Sequence, residues 1–159
     1  MTAGIQLRPI GPLQLDQLVE MYERFDPRGA ALGLPPHTLE ARHLWIRHAV
    51  RQIVNVAAFS PSGEVVGHSF LAQDGPGSAE IAVFVHQEFR RRGIGAALLR
   101  KALERGQALE LDAVWAATDT RNKAALQLLE TSGFRVRRSD VDGVELEIDL
   151  SCPAIAATQ

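Results

Sequence analysis

The chain has 159 residues, of which 46% are hydrophobic and 23% charged, and 17 basic against 19 acidic side chains give a formal net charge of −2. This composition excludes a disordered chain and a generally basic nucleic-acid-binding protein. The single cysteine, Cys152, excludes an internal disulfide and a cysteine-based zinc site. The length predicts one domain over residues 1–150 and a tail over 151–159. With no apolar run of about 18 residues and no secretory leader, we expect a cytoplasmic protein without nucleic-acid or membrane partners.

The first half of the chain predicts a strand, two helices and three further strands. Apolar residues recur three and four positions apart in the first helix and alternate in the strands. Thr38 is the candidate N-cap of the second helix, which carries Ala41, Leu44, Trp45 and His48 along one side. Residues 26–36 hold three prolines and two glycines, which predicts an irregular connection. The expected elements are a strand at 5–9, helices at 13–24 and 39–50, and strands at 52–59, 64–73 and 79–85.

The second half alternates between helices and strands. Gly133 follows the last helix, where a left-handed C-terminal cap is typical. The piece from the strand at 79–85 to the strand at 113–118 predicts a right-handed parallel crossover, and the other neighbours predict antiparallel hairpins. The fold class is therefore α+β, a mixed sheet covered by helices. The expected elements are helices at 93–108 and 122–132 and strands at 113–118, 134–138 and 144–150.

A basic, glycine-containing turn separates the strand at 79–85 from the next helix. Free N–H groups at a helix start favour an anion, and Gly93 and Gly95 allow the backbone to approach phosphate oxygens. Arg91 and Arg92 add positive charge. The turn lacks both the Gly-Lys-Ser/Thr sequence of a P-loop and the third glycine of a dinucleotide fingerprint. It predicts either a pyrophosphate site or an arginine cluster that only caps a helix.

Two motifs in register resemble the GCN5-related N-acetyltransferase (GNAT) family. Arg90-x-x-Gly93-x-Gly95-Ala96, between a strand and an amphipathic helix, is similar to the family's acetyl-CoA-binding motif. Residues 122–134, which begin with Asn122, resemble its second characteristic helix, and residues 7–10 resemble its first strand. The resemblance extends to about residue 150. It implies a mostly antiparallel sheet of six or seven strands, about four helices, and a parallel strand pair that splays apart at the cofactor site.

The resemblance also implies an activity and a set of site residues. The activity is an acetyl-CoA-dependent N-acetyl transfer to a primary amine by direct attack on the thioester, without a metal, in a chain expected to form a homodimer. The acceptor is either a protein lysine, which the surroundings of Glu80 favour, or a small-molecule amine. The Val85 amide is expected to stabilise the oxyanion. The residues implied for acetyl-CoA binding are Val83, Phe84 and Val85 for the pantetheine arm, Arg90, Arg91, Arg92, Gly93, Ile94, Gly95 and Ala96 for the pyrophosphate, and Asn122 beside the arm.

Glu80 is the candidate general base. An alkyl ammonium group, with a pKa of about 10.4, must lose a proton before it attacks. Glu80 opens an apolar strand, which predicts a partly buried carboxyl group with a raised pKa; the alternative is a glutamate that faces solvent. Many family members carry their glutamate five residues before the Val85 position. His68, which alternates with Val66 and Phe70, is a second and weaker candidate.

The candidate general acid is missing from its usual place. Where many family members have a tyrosine, this chain has Leu129, and its only tyrosine, Tyr22, has the spacing of a core residue. Leu129 keeps open a different reading, a CoA-binding sensor or regulatory module without turnover. His86 is expected at the exposed end of its strand. His43 and His48 are five residues apart, which does not favour a zinc pair on one helix face.

Overall fold

The structure is a computed structural model that describes residues 4–28 and 34–151. Gly29 and Gly33 of the predicted irregular connection, together with Cys152 and nearly all of the predicted tail, lie outside the described residues. Short 3-10 turns precede the first helix and follow the fourth strand. In chain order the elements are β1 (Gln6–Pro9), α1 (Leu15–Glu23), α2 (Leu39–Ala49), β2 (Val54–Phe59), β3 (Val65–Gly75), β4 (Ser78–Val85), α3 (Ile94–Ala108), β5 (Ala113–Thr118), α4 (Lys123–Thr131), β6 (Arg135–Asp140) and β7 (Gly143–Asp149).

One seven-stranded sheet carries the fold, with strand order β1-β2-β3-β4-β5-β7-β6. Neighbouring strands are antiparallel except β4 and β5, which α3 connects in parallel. The parallel pairing covers only Ser78 to Glu80 against Ala113 to Trp115. Beyond that point the two strands diverge. The predicted element order, the mixed sheet and the splayed parallel pair are confirmed.

Alternation along β4 divides the core between the two faces of the sheet. Ala79 and Ile81 pack with α3, α4 and the facing strand residues in one apolar cluster. Ala82 and Phe84 pack on the opposite face with residues of α1 and α2. Glu80 shares the face of Ala82 and Phe84, because successive side chains of a strand point to opposite sides. The carboxyl group of Glu80 therefore lies on the side that α1 and α2 cover.

Both predicted helix caps, Thr38 and Gly133, are present, and the structure adds a third at Asn122. The Thr38 hydroxyl accepts a hydrogen bond from the Ala41 amide (3.3 Å), and the Asn122 side chain accepts one from the Ala125 amide (3.1 Å). Gly133 has φ +101° after α4, a region that favours glycine. The caps explain why α2 and α4 begin, and why α4 ends, at these residues.

The side of α2 that faces the core differs from the predicted one. Its buried residues are Arg42, Ile46 and Ala49, whereas Leu44 is 57% exposed. Arg42 replaces an apolar residue on this face because its guanidinium donates to Glu23 (3.0 Å) and to the carbonyl oxygen of His37 (2.8 Å). Hydrophobic spacing alone cannot identify a buried arginine whose partners come from other segments.

The placement of His86 also corrects the sequence analysis. His86 is 2% exposed rather than at an open strand end. Its ring packs against Phe89, with 6.3 Å between ring centroids. Its Nδ1 accepts a hydrogen bond from the Glu88 amide (3.3 Å). The turn after β4 folds back over the ring, and this accounts for its burial.

None of the helices within residues 4–28 and 34–151 has the length and hydropathy that a membrane span requires.

Candidate active site

The divergence of β4 and β5 leaves backbone groups of β4 without strand partners. His68 lies opposite Phe84, and the His86 amide donates to the Val66 carbonyl (2.9 Å). In an antiparallel ladder this register turns the N–H and C=O of Phe84 toward β3, and those of Val83 and Val85 toward β5. We call the space between the diverging strands the strand gap.

The register limits which residues can bind an extended ligand arm in the strand gap. The Val85 carbonyl accepts a hydrogen bond from Arg90 Nε (2.9 Å). The Val83 amide and carbonyl and the Val85 amide remain directed into the gap. The resemblance also assigned Phe84 to the pantetheine arm, but its backbone groups belong to the ladder with β3. We therefore expect these hydrogen bonds from Val83 and Val85 only.

A cavity of about 150 Å³ occupies the strand gap. Of the site residues expected from the sequence, Glu80, Val83, Phe84 and Asn122 line it. The C-terminal parts of the two splayed strands and one face of α4 form its wall. The lining residues are Glu80, Ile81, Ala82, Val83, Phe84, Ala116, Ala117, Thr118, Asn122, Ala125, Leu128 and Leu129.

The turn before α3 has the backbone conformation of an anion site. Gly93 has a left-handed backbone conformation (φ +80°), and the right-handed helix begins at the next residue, Ile94. A left-handed residue next to a right-handed one directs successive N–H groups to one side, where they can bind an anion. Arg91 also has a positive φ of 64°. A Cβ on Gly95 would lie 3.5 Å from Leu128 Cδ2, an ordinary contact, so the fold itself does not require glycine there.

Two of the three arginines brace this turn. Arg90 Nη2 donates to the Asp26 carbonyl (2.7 Å), and the guanidinium carbon lies 5.1 Å from the centroid of the Phe25 ring. Arg92 donates to the Glu88 carbonyl (3.3 Å). The Arg90 side chain therefore fastens the turn to the segment after α1. The positive potential of both guanidinium groups still acts on the N-terminus of α3.

A second cavity of about 300 Å³ lies on the α1 and α2 side of the sheet, and we call it the aromatic cavity. Trp45, Phe70 and Phe84 form much of its wall. Its lining residues are Leu34, Trp45, His48, Ala49, Gln52, Phe70, Ala72, Glu80, Ala82 and Phe84. The sequence analysis placed Trp45 on one side of the second helix and Phe70 in a strand, but it assigned neither of them, nor Gln52, to a binding cavity. The alternation of Phe70 with Ala72 in β3 was the only available signal.

Glu80 lines both the strand gap and the aromatic cavity. It is half-buried, as its place at the start of an apolar strand predicted. Burial raises the pKa of its carboxyl group, and the negative charges of Asp74 and Glu145 raise that pKa further. The carboxyl group of Glu80, with its raised pKa, therefore lies between the strand gap and the aromatic cavity.

His68 does not face either cavity; it is fully buried. Its Nδ1 accepts a hydrogen bond from the Tyr22 hydroxyl (2.7 Å), and its Nε2–H donates to Asn55 Oδ1 (2.7 Å). An amide oxygen can only accept, so these partners fix the neutral Nε2–H tautomer. Burial lowers the pKa of His68 to about 3. The sequence-based suggestion of His68 as a second base is wrong, and Tyr22 is a core residue, as its spacing indicated.

Leu129, which stands where the family often has a tyrosine, is 6% exposed and packs in the core beside the strand gap. Its side chain can neither donate nor accept a proton. In the described part of the chain, no group of three or more His, Cys, Asp or Glu side chains could hold a metal ion.

Comparison with known proteins agrees with this geometry. A family model described as "Acetyltransferase (GNAT) family" matches residues 15–134. A curated L-methionine sulfoximine/L-methionine sulfone acetyltransferase of Pseudomonas aeruginosa is 30% identical over 107 residues, which are 64% of this chain and 62% of the relative. The match thus spans less than two thirds of that relative's length.

Solved structures share the fold at low sequence identity. A GNAT superfamily phosphinothricin acetyltransferase from Sinorhizobium meliloti, in complex with AcCoA, superposes with a TM-score of 0.74 at 20% identity, covering 92% of this chain and 88% of that chain. The GNAT domain of PAT from S. lividans superposes with a TM-score of 0.75 at 20% identity, covering 91% of this chain and 90% of that chain.

Proposed function

Because this chain belongs to the acetyltransferase (GNAT) family, we propose that it transfers the acetyl group of acetyl-CoA to a primary amine of a small molecule. The observation that carries the proposal is the position of Glu80 between the strand gap and the aromatic cavity. A donor in the gap and an acceptor in the cavity would meet beside one carboxyl group with a raised pKa.

The residues of the strand gap fit the donor. Val83 and Val85 present unpaired backbone groups to an extended, amide-containing arm. The αL conformation of Gly93 and the start of α3 suit a pyrophosphate, since helix N-termini attract anions. Asn122 lines the gap, but its side-chain oxygen already caps α4, which leaves its NH2 group for a ligand. We assign these residues, with Arg90, Arg91, Arg92, Ile94, Gly95 and Ala96, to acetyl-CoA.

Three groups account for the chemistry. Glu80, directly or through a water molecule, accepts the proton that the amine loses on attack. The Val85 amide donates a hydrogen bond to the oxygen on which negative charge develops. The departing thiol has an ordinary pKa of about 8.5, so the thiolate leaves without a dedicated acid. Leu129 in place of a tyrosine is compatible with this scheme.

The shape of the aromatic cavity favours a small acceptor. Its volume of about 300 Å³ suits one small molecule, at the lower end of ligand pockets. The names of the similar proteins from Pseudomonas and Sinorhizobium record small-molecule substrates. We therefore place a small-molecule amine ahead of the protein lysine that the sequence analysis favoured. A homodimer and a cytoplasmic location stay predictions.

A thiol-release assay tests the proposal. Purified protein receives acetyl-CoA and a panel of primary amines and lysine peptides, and the released thiol and the mass of the acetylated product are followed. Acetylated amine above the level without protein supports the enzyme. Saturable acetyl-CoA binding without any acetylated product would replace it with the CoA-binding sensor that Leu129 keeps open.

A further inference from the structure

The wall of the aromatic cavity carries no permanent positive charge among the described residues. Of its lining side chains, only Glu80 and His48 are ionisable. A carboxylate on a bound acceptor would therefore find no lysine or arginine in this wall.

The charges that act on Glu80 are negative. Asp74 and Glu145 act on Glu80 as nearby negative charges. Arg137, which contacts Glu145 (3.9 Å), is engaged more closely with Glu147 (2.7 Å). A second carboxylate brought next to Glu80 would be repelled, because like charges in a half-buried site are weakly screened.

Arg42 is also committed elsewhere. It is 3% exposed and forms an ion pair with Glu23 (3.0 Å). Its Nη1 donates to the carbonyl oxygens of Pro36 (3.3 Å) and His37 (2.8 Å). These bonds hold the segment before α2 against α1. Arg42 is absent from the cavity wall, so it does not supply the missing positive charge.

The walls suit an apolar body and an ammonium group. The ring centroids of Trp45 and Phe84 are 5.3 Å apart in an edge-to-face arrangement, and those of Trp45 and Phe70 are 5.9 Å apart. Aromatic faces attract cations as well as apolar groups. Glu80, in the same wall, can pair with the ammonium group before it takes the proton.

We propose that the acceptor is a primary amine with an apolar or aromatic body and without a carboxylate group. This inference rests on the proposed function and specifies its acceptor. The proposed acceptor differs from the substrates that the name of the Pseudomonas relative records, L-methionine sulfoximine and L-methionine sulfone. Both of those compounds carry a carboxylate beside the amine.

Matched pairs of acceptors test the inference. Each pair consists of an amino acid and the amine that lacks its carboxylate: methionine sulfone with 3-(methylsulfonyl)propylamine, phenylalanine with phenethylamine, and leucine with 3-methylbutylamine. We expect kcat/KM for each amine to exceed that of its amino acid by about tenfold or more, the effect of one unpaired buried charge or polar group. Equal values, or a preference for the amino acids, would overturn the inference.

A binding measurement separates this inference from the proposed function. Isothermal titration of the same pairs, in the presence of CoA, requires no turnover. If no acceptor is acetylated, the proposed function fails, yet tighter binding of the amines still supports the inference. Equal or tighter binding of the amino acids contradicts it, whatever the turnover.

The converse test adds a positive charge to the wall of the aromatic cavity and asks whether amino acids then become better acceptors. Gln52→Arg adds a guanidinium group to the cavity wall. Gln127→Arg makes the same change on the exposed side of α4, outside both cavities, and serves as the control. We expect Gln52→Arg to shift the preference toward the amino acids by about tenfold, and Gln127→Arg to leave it unchanged. The same shift in both variants, or in neither, would contradict the inference.

Discussion

Acidification should destabilise the protein through His68. Its folded-state pKa of about 3 lies below the ordinary value of 6.5, because the ring is fully buried. Between these two values the unfolded chain binds a proton that the folded chain does not, so stability falls as the pH falls below 6.5. Each pH unit in this window removes about 1.4 kcal/mol. Going from pH 6.5 to 5 should therefore cost about 2 kcal/mol, or about 4–8 °C in Tm for a chain of this size.

Urea unfolding from pH 7 to 5 measures this loss, and a variant isolates the histidine. In His68→Gln, the side chain retains an acceptor for the Tyr22 hydroxyl and a donor for Asn55 but does not titrate in this range. Because the folded-state pKa of Glu80 is raised, this residue makes the folded state more stable as the pH falls, the opposite of His68. Glu80 is present in both proteins, so its contribution to the free energy of unfolding cancels in the comparison. We expect the free energy of unfolding of the variant to depend less steeply on pH between 7 and 5 than that of the wild type, because the contribution of His68 is missing.

The result that refutes this reasoning is an equal pH slope in the wild type and His68→Gln. If the variant does not fold, the wild type alone still decides. Its His68 ring resonances should show no protonation between pH 7 and about 4. A midpoint near 6.5 would mean that the ring is hydrated, contrary to the Tyr22–His68–Asn55 hydrogen bonds.

Three further substitutions probe the core and the donor site. Tyr22→Phe leaves His68 Nδ1 without its donor and should lower the free energy of unfolding by about 1–3 kcal/mol. The control Thr131→Val, which removes an exposed hydroxyl, should change it by less than about 0.5 kcal/mol. Equal losses in urea unfolding would count against the buried hydrogen bond. Gly95→Ala should keep or raise the Tm, because a Cβ there meets only ordinary contacts, but should raise the KM for acetyl-CoA; an unaltered KM would remove Gly95 from the donor site. Asn122→Asp keeps the α4 cap, worth about 1 kcal/mol, but loses the NH2 group, so acetyl-CoA binding should weaken at constant Tm; unchanged affinity in isothermal titration would remove Asn122 from the site.

Local patterns were sufficient to predict the order of elements and the place of Glu80. Alternation, helical spacing and turn residues are properties of neighbouring positions, and caps such as Thr38 and Gly133 are as local as the motifs around Gly93. The half-buried state of Glu80 followed from its position at the start of an apolar strand. These features depend on short segments, and the structure confirms them.

Features that depend on pairing between distant segments could not be predicted in this way. The core-facing side of α2 depends on Glu23, which pairs with Arg42. The direction of the Phe84 backbone groups depends on the register with β3. The aromatic cavity brings together Trp45 of α2 and Phe70 of β3. No periodicity in one segment contains this information, since it arises only when the sheet and helices assemble.

The pH dependence of acetyl transfer in Glu80→Gln tests the central claim most directly. In the wild type, kcat/KM with a primary amine should rise with pH through a pKa above the ordinary 4.5 of a glutamate, since burial, Asp74 and Glu145 raise it. Glu80→Gln should lower kcat/KM by about a hundredfold to ten-thousandfold and abolish that rise, while acetyl-CoA affinity stays the same. An unchanged rate and an unchanged pH profile would show that the carboxyl group between the two cavities is not the base.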